Sequence, residues 1–247
     1  LHGPIVAAFH RLREGRDVVE PRPELDLAAG FLHQLNGEPT SPSEARIFDV
    51  CLILHADHGF NASTFAARVT SATQSDLYSA ITSALGTLKG PLHGGANEAV
   101  MRMLLDVERS GRSVEDVVHE RLEQKQKISG FGHRVYKTED PRATHLREFS
   151  RELASRDDGG PWFEMSRRME DLMRAEKGLH SNVDLYSAST YYELGIPPDL
   201  FTPIFAMSRV SGWTAHVLEQ MRNNKLIRPR SEYVGPRDLR YVPLEER

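Results

Sequence analysis

The sequence predicts an all-α fold. Apolar residues recur at helical spacing along most of the 247 residues, and alternating strand patterns are scarce and short. Cap and stop signals punctuate the apolar runs where helices should begin and end.

The elements follow in order. Helix-like sequence starts at once after Leu1 (GPIVAAFHRLREG). Ser41-Pro42-Ser43-Glu44 reads as a capping box with proline in the first turn. Ile47, Val50, Cys51 and Leu54 then repeat at i, i+3, i+4 and i+7. Leu77, Ile81, Leu85 and Leu88 form a second stripe, stopped by Gly90-Pro91. Val100, Met103, Leu104 and Val107 form a third. Ser113 is placed to cap a fourth helix, with Glu115 and Asp116 favourable in its first turn. Met165, Met169, Leu172 and Met173 mark a fifth on a charged background. Residues 155–161 (SRDDGGP) read as a loop. Residues 222–247 lose the pattern and gather Pro229, Pro236 and Pro243, so they read as an extended tail lying over the fold.

Composition bounds the function. The charged fraction is 27% and the formal net charge is −4, which argues against a broad nucleic-acid-binding surface. A single cysteine, Cys51, excludes an intramolecular disulfide and fits a reducing compartment such as the cytoplasm. Its setting, VCLIL, reads as burial, and that run is far too short to span a membrane.

Three segments break the helical text. Pro91–Glu98 (PLHGGANE) sets two glycines after a histidine, which permits unusual backbone angles and close ligand approach. Lys127–Lys137 (KISGFGHRVYK) brackets an aromatic with glycines before a histidine and runs on to Asp140-Pro141-Arg142. Asn182–Ser189 (NVDLYSAS) places an acid among apolar and small residues. Taken singly, the first reads most simply as an interhelical turn, the second as a weak GxG motif and the third as a helix cap. His55-Ala56-Asp57-His58 brings two histidines to i, i+3. No HExxH motif, cysteine cluster or carboxylate-rich partner accompanies them, so no metal site is expected.

Together the segments resemble the citrate synthase family. GFGHRVYKTEDPR is similar to the family's Gly-aromatic-Gly-His signature followed by Asp-Pro-Arg, and PLHGGANE, LILHADH, NVDLYSAS and IFAMSRVSGW match in the expected order. The resemblance runs to IRPRSEYVGP near the end.

It implies a two-domain helical fold whose small domain closes over the substrates. Residues 1–93 would be the first part of the large domain, 94–193 the small domain, and 194–247 the C-terminal part and tail. Family members are longer, so the N-terminal part of the large domain is expected to be missing. The implied reaction joins acetyl-CoA to oxaloacetate and hydrolyses the citryl thioester, without metal or redox cofactor. Asp184 would be the base for the methyl proton, His93 the donor to the thioester oxygen, and His133 the donor to the oxaloacetate carbonyl. Arg142, Arg209 and Arg228 would bind the two carboxylates, with His58 bonding the substrate and His55 supporting it. Arg228 would reach the partner's site in a homodimer. Ile128, Gly130, Phe131 and Gly132 would line the adenine slot of coenzyme A, with Lys137 on a phosphate. Gly59 departs from the acid that many relatives carry after HADH. Two alternatives stay open: 2-methylcitrate synthase acting on propionyl-CoA, because one methylene is worth only about 1–3 kcal/mol of discrimination, and a catalytically silent homologue acting as a binding module.

Overall fold

The computed structural model describes residues 2–133 and 136–247. Arg134 and Val135, within the glycine-bracketed segment, lie outside the described residues, as does Leu1.

Eleven α-helices run through the described residues: α1 His2–Arg13, α2 Leu27–Asn36, α3 Pro42–Ala56, α4 Ala62–Ala72, α5 Leu77–Leu88, α6 Ala96–Ser110, α7 Val114–Glu123, α8 Pro141–Ala154, α9 Trp162–Lys177, α10 Val183–Glu193 and α11 Phe201–Arg222. There is no strand among them, only an isolated antiparallel bridge between Phe131 and Ser181. The local signals hold where their chemistry is local. Ser41 Oγ accepts from the Glu44 amide at 3.2 Å while Glu44 accepts from the Ser41 amide at 2.9 Å, closing the capping box. Ser113 accepts from the Asp116 amide at 3.0 Å.

Helix α10 is the axis of the larger core. Eight of its eleven residues, including Leu185, Tyr186, Ala188 and Tyr191, are buried. A helix without a polar face must be covered on all sides, and α6, α8 and α9 provide the cover. Its small polar residues find local partners. Ser189 Oγ meets Ser150 Oγ of α8 at 2.7 Å, and Thr190 Oγ1 donates to the Tyr186 carbonyl at 2.7 Å.

A second, smaller core joins α4, α5 and α11 through Ala67, Ala80, Ala84, Leu88, Trp213 and Val217. Here the stripe expected for α5 is corrected. Its buried face is Ala80, Ala84 and Leu88, whereas Leu77 and Leu85 are 36% and 37% exposed. Alanines let helices approach closely, so the smaller side chains face the neighbour and the leucines are left outside. Helix α11 uses the same device against α3. A Cβ on Gly212 would collide with the Ala56 carbonyl oxygen, so only glycine admits this approach. Arg209, one turn earlier, is thereby set against the end of α3.

The tail is extended as expected but does not lie over the fold. Most of residues 225–247 are exposed. It leaves the body just after Asn224, whose Nδ2 donates to the Ala72 carbonyl at 3.0 Å.

Candidate active site

His58, His93, His133, Arg142, Asp184 and Arg209 line one cavity of about 260 Å³, between the ends of α3, α5, α8, α10 and α11. Leu92, Val183 and Phe205 supply apolar wall, and Asn61 and Asn182 further polar groups. Most of these residues stand at a helix end or in a connection, where side chains are not consumed by the packing stripe, whereas Phe205 and Arg209 project from within α11.

Asp184 is not the cap of its helix. Asn182 takes that role, its side chain accepting from the Asp184 amide at 2.9 Å. The Asp184 carboxylate is therefore released into the cavity wall. Burial pushes its pKa up from 3.8 to about 6, against the pull of Arg142, with Asp140 adding to the rise and Lys127 and Arg209 opposing it. A carboxylate raised this way is a stronger base near neutrality than a free one.

The two catalytic-candidate histidines are held in defined tautomers. His93 Nε2 faces the Ser63 backbone N–H at 3.3 Å and the Ser63 hydroxyl at 2.8 Å. A backbone N–H only donates, so Nε2 accepts and the ring proton of neutral His93 sits on Nδ1. Burial, then the charge of Arg209, lowers the His93 pKa and keeps it neutral. Ser63 is fully buried, and its hydroxyl also lies 2.8 Å from Asn61 Oδ1 and accepts from Trp213 Nε1 at 3.0 Å. His133 is the mirror case. Its Nδ1 accepts from the Tyr136 amide at 3.2 Å, which leaves the proton on Nε2. Burial lowers its pKa, with Asp140 opposing and Arg142 assisting. Both rings are thus neutral single donors.

His58 packs edge-on to His133 at 5.0 Å between centroids and lies 3.2 Å from the Tyr136 hydroxyl. Burial, with Arg142 and His133, lowers its pKa to about 4. His55 stands behind the cavity, 1% exposed, with Nδ1–H donating to the Cys51 carbonyl at 2.8 Å. Helix α3 ends at Ala56, so His58 leaves the helix and the two histidines do not share a helical face.

The arginines carry the electrostatics. Arg142 is gripped by Asp140, with Nε at 3.0 Å and Nη2 at 2.7 Å from its two oxygens. Asp140 is fully buried, and its oxygens also accept from the amides of Arg142 and Val183. Burial raises its pKa, but the hydrogen bond and charge of Arg142 win and hold it below the ordinary value. Arg209 is 1% exposed and its partners are neutral. Nε donates to the His55 carbonyl at 2.6 Å, and the guanidinium lies 4.6 Å from the Phe205 ring centroid. Burial and the nearby Arg142 lower its pKa to about 10. Asp57 and Asp184 oppose that fall from a distance, but no carboxylate among the described residues is hydrogen-bonded to Arg209. A buried cation so placed is relieved by an anionic ligand. The cavity sets two guanidiniums beside the carboxyl of Asp184.

The structure does not bring the remaining expected residues into the cavity wall. Arg228 is exposed on the tail, and Lys137 is exposed beside the site. Ile128 joins the core at 7% exposure. Gly130 and Gly132 adopt positive φ of 93° and 71°. Their peptide groups are already engaged: Asn182 N donates to Gly130 O, Gly132 N to His180 O, and Asn182 Nδ2 to Gly132 O, each at 2.9 Å. Sequence reasoning gave no role to Asp140, Ser63 or Phe205. Asp140 had a signal, as an acid before Pro-Arg at a helix start. Phe205 lay in the matching segment IFAMSRVSGW, and Ser63 had no signal.

A family model described as citrate synthase, C-terminal domain, matches residues 2–230. The chain belongs to the citrate synthase family. Citrate synthase 2 of Bacillus subtilis (strain 168) is 57% identical over 243 residues, covering 98% of this chain and 65% of that protein. The chain therefore spans just under two thirds of that relative's length. The solved citrate synthase of the thermophilic archaeon Thermoplasma acidophilum, a ternary complex with carboxymethyl coenzyme A and oxaloacetate, superposes with a TM-score of 0.90 at 37% identity, over 100% of this chain and 66% of that one. Citryl-CoA lyase from Hydrogenobacter thermophilus gives a TM-score of 0.77 at 32% identity, over 90% of this chain and 89% of that one. The family is a helical one, and the fold agrees.

Proposed function

We propose that this chain carries the catalytic centre of a citrate synthase, condensing acetyl-CoA with oxaloacetate and hydrolysing the citryl thioester to citrate and coenzyme A. The observation that carries the reading is the release of Asp184 from capping, with a pKa of about 6, into a cavity shared with two neutral histidine donors and two arginines.

Each residue has a task in it. Asp184 takes a proton from the thioester methyl as Nδ1–H of His93 donates to the thioester oxygen; a donor of this type is worth roughly 2.7–4 kcal/mol. The enolate carbon attacks the ketone of oxaloacetate, whose oxygen becomes an alkoxide and takes the Nε2 proton of His133 to form the alcohol. His133 regains a proton from solvent, and Asp184 releases the methyl proton to solvent. Arg142 and Arg209 bind the carboxylates, and His58 adds a hydrogen bond. Water then adds to the thioester, giving carboxylate and thiol. The cavity, about 260 Å³, suits the reacting ends and not the whole of coenzyme A. The nucleotide is assigned to the segment that carries Ile128, Gly130, Phe131, Gly132 and Lys137, of which Lys137 is exposed and Phe131 and Gly132 are partly so. Arg228, exposed on the tail, is assigned to the partner's site in a homodimer. Closure of a small domain, residues 94–193, would expel water. The reading requires no metal or redox cofactor, and the single cysteine fits a cytoplasmic setting. Separately, no described helix is long and apolar enough to cross a membrane.

A second reading has one observation in its favour. The solved citryl-CoA lyase shares this fold, with a TM-score of 0.77 at 32% identity. Carbon–carbon cleavage is the condensation run backwards, so the same residues serve. Citryl-CoA supplied to the protein separates the two: citrate and free thiol support the synthase, oxaloacetate and acetyl-CoA the lyase. Thiol release from oxaloacetate with acetyl-CoA against propionyl-CoA separates citrate from 2-methylcitrate synthesis. No product in any arm, from a folded protein, sinks the enzymatic reading and favours the silent module.

A further inference from the structure

Next to the cavity-lining helices α8 and α10 lies a partly buried ionic cluster, centred on one buried carboxylate, that the proposed chemistry does not use. Glu170 of α9 is 4% exposed. Its Oε1 accepts from Arg147 Nη2 at 2.7 Å and Ser181 Oγ at 2.7 Å, and its Oε2 from the Tyr186 hydroxyl at 2.5 Å and Arg147 Nε at 3.2 Å. Arg147 also pairs with Glu139 and lies 5.1 Å from the Tyr186 ring centroid. Burial alone would raise the Glu170 pKa, but the bonds from Tyr186, Ser181 and Arg147 outweigh it and hold the group ionised.

The tethered residues are placed unlike those of a chance ion pair. Ser181 immediately precedes Asn182, the cap of α10, and Tyr186 follows Asp184 by two residues. Glu139 immediately precedes Asp140, the grip on Arg142. One carboxylate thus fastens the chain on both sides of Asp184 and, through Arg147, at the start of the Arg142 corner. The corners also join directly, since Asp140 N donates to the Ser181 carbonyl at 3.4 Å and Val183 N to Asp140 Oδ2 at 3.3 Å. A buried ion pair is a poor source of net stability compared with apolar packing of the same volume. Its better-attested use is to select one geometry.

We propose that Glu170 is a positioning residue for the candidate active site, setting Asp184 and Arg142 in register through Ser181, Tyr186 and the Arg147–Glu139 pair. This rests on the reading of Asp184 as the base, and it extends the machinery to a third helix that touches no substrate.

The test titrates the aspartate carboxyl carbons of the ¹³C-labelled folded chain by NMR, with Asp184 assigned by its loss in Asp184→Asn. In Glu170→Gln the α10 start loosens and water reaches Asp184, so its midpoint falls by about one pH unit toward the ordinary aspartate value. None of the other charges near it, Arg142, Asp140, Lys127 and Arg209, is removed by this change. Where the wild type turns over, kcat falls roughly 10- to 100-fold, as for a misplaced reacting group. Ser181→Ala and Tyr186→Phe each remove one tether, move the midpoint in the same sense by less, and carry the test if Glu170→Gln does not fold. A folded Glu170→Gln with a lower Tm but an unchanged Asp184 midpoint overturns the proposal, leaving Glu170 a structural ion pair. A wild type that forms no product refutes the enzymatic reading instead, while the midpoint still decides the role of Glu170.

Discussion

Replacing Asp184 with asparagine separates the chemistry of this fold from its stability. In the unfolded chain the carboxyl titrates near 3.8, and in the fold at about 6 because burial disfavours its charge. Between those values the folded chain holds a proton that the unfolded chain has released. Stability therefore falls as pH rises through the window and levels off above about 6. At about 1.4 kcal/mol per pH unit, the wild type loses at most about 3 kcal/mol across it. Contact of the carboxylate with cavity water reduces that figure. An asparagine side chain carries no charge at any of these pH values, so Asp184→Asn has no such loss. It should match the wild type near pH 4 and exceed it by up to about 3 kcal/mol at pH 8, while forming no condensation product. Urea denaturation of both proteins from pH 4 to 8 gives the difference curve, in which the histidine titrations common to both cancel. Parallel curves, with no divergence between pH 4 and 6, would refute the claim that the fold bears the cost of a raised base.

Asp140→Asn loosens the two-point grip on Arg142, and a charge-assisted bond of this kind is worth about 1.5–3 kcal/mol; the oxaloacetate KM should rise more than kcat falls in steady-state assays. The same change removes a negative charge that helps to raise Asp184, so the acidic limb of the pH–rate profile moves to lower pH. Ser63→Ala strands the buried Trp213 N–H and removes a partner of His93 Nε2. It should cost about 1–3 kcal/mol in a denaturation curve and lower kcat. In Gly130→Ala, the new Cβ at φ +93° would lie 3.0 Å from Val100 Cγ2 and 3.2 Å from Leu185 Cβ. Backbone strain of about 1–3 kcal/mol is expected, and Tm should drop accordingly. An unchanged Tm would show that the segment can move away from α10.

Much of the local architecture was legible because its causes lie within one helical turn. The Ser41–Glu44 box and the Ser113 cap join residues three apart, and the Val100–Val107 stripe is buried as its spacing implies. The α5 stripe misled because hydrophobic spacing does not tell which face meets a small-residue neighbour. Asp184 was ambiguous for a related reason. Asn182 and Asp184 are both good capping types, and only backbone geometry decides that Asn182 caps. The tail's prolines foretold extension but not where it runs, since proline sets local angles and no long-range contact.

Sequence alone determined an all-α chain with three segments whose order and residue types resemble one family. That followed from local propensity and from the match of many positions at once. Only the tertiary structure decided that His93, His133 and Asp184 share a cavity with Arg142 and Arg209, that Ser63 fixes a tautomer thirty residues away, and that Glu170 bonds the chain on both sides of Asp184. These depend on burial and on partners distant in the chain. The same aspartate is an ordinary acid in water and a base of pKa about 6 only once the helices close around it.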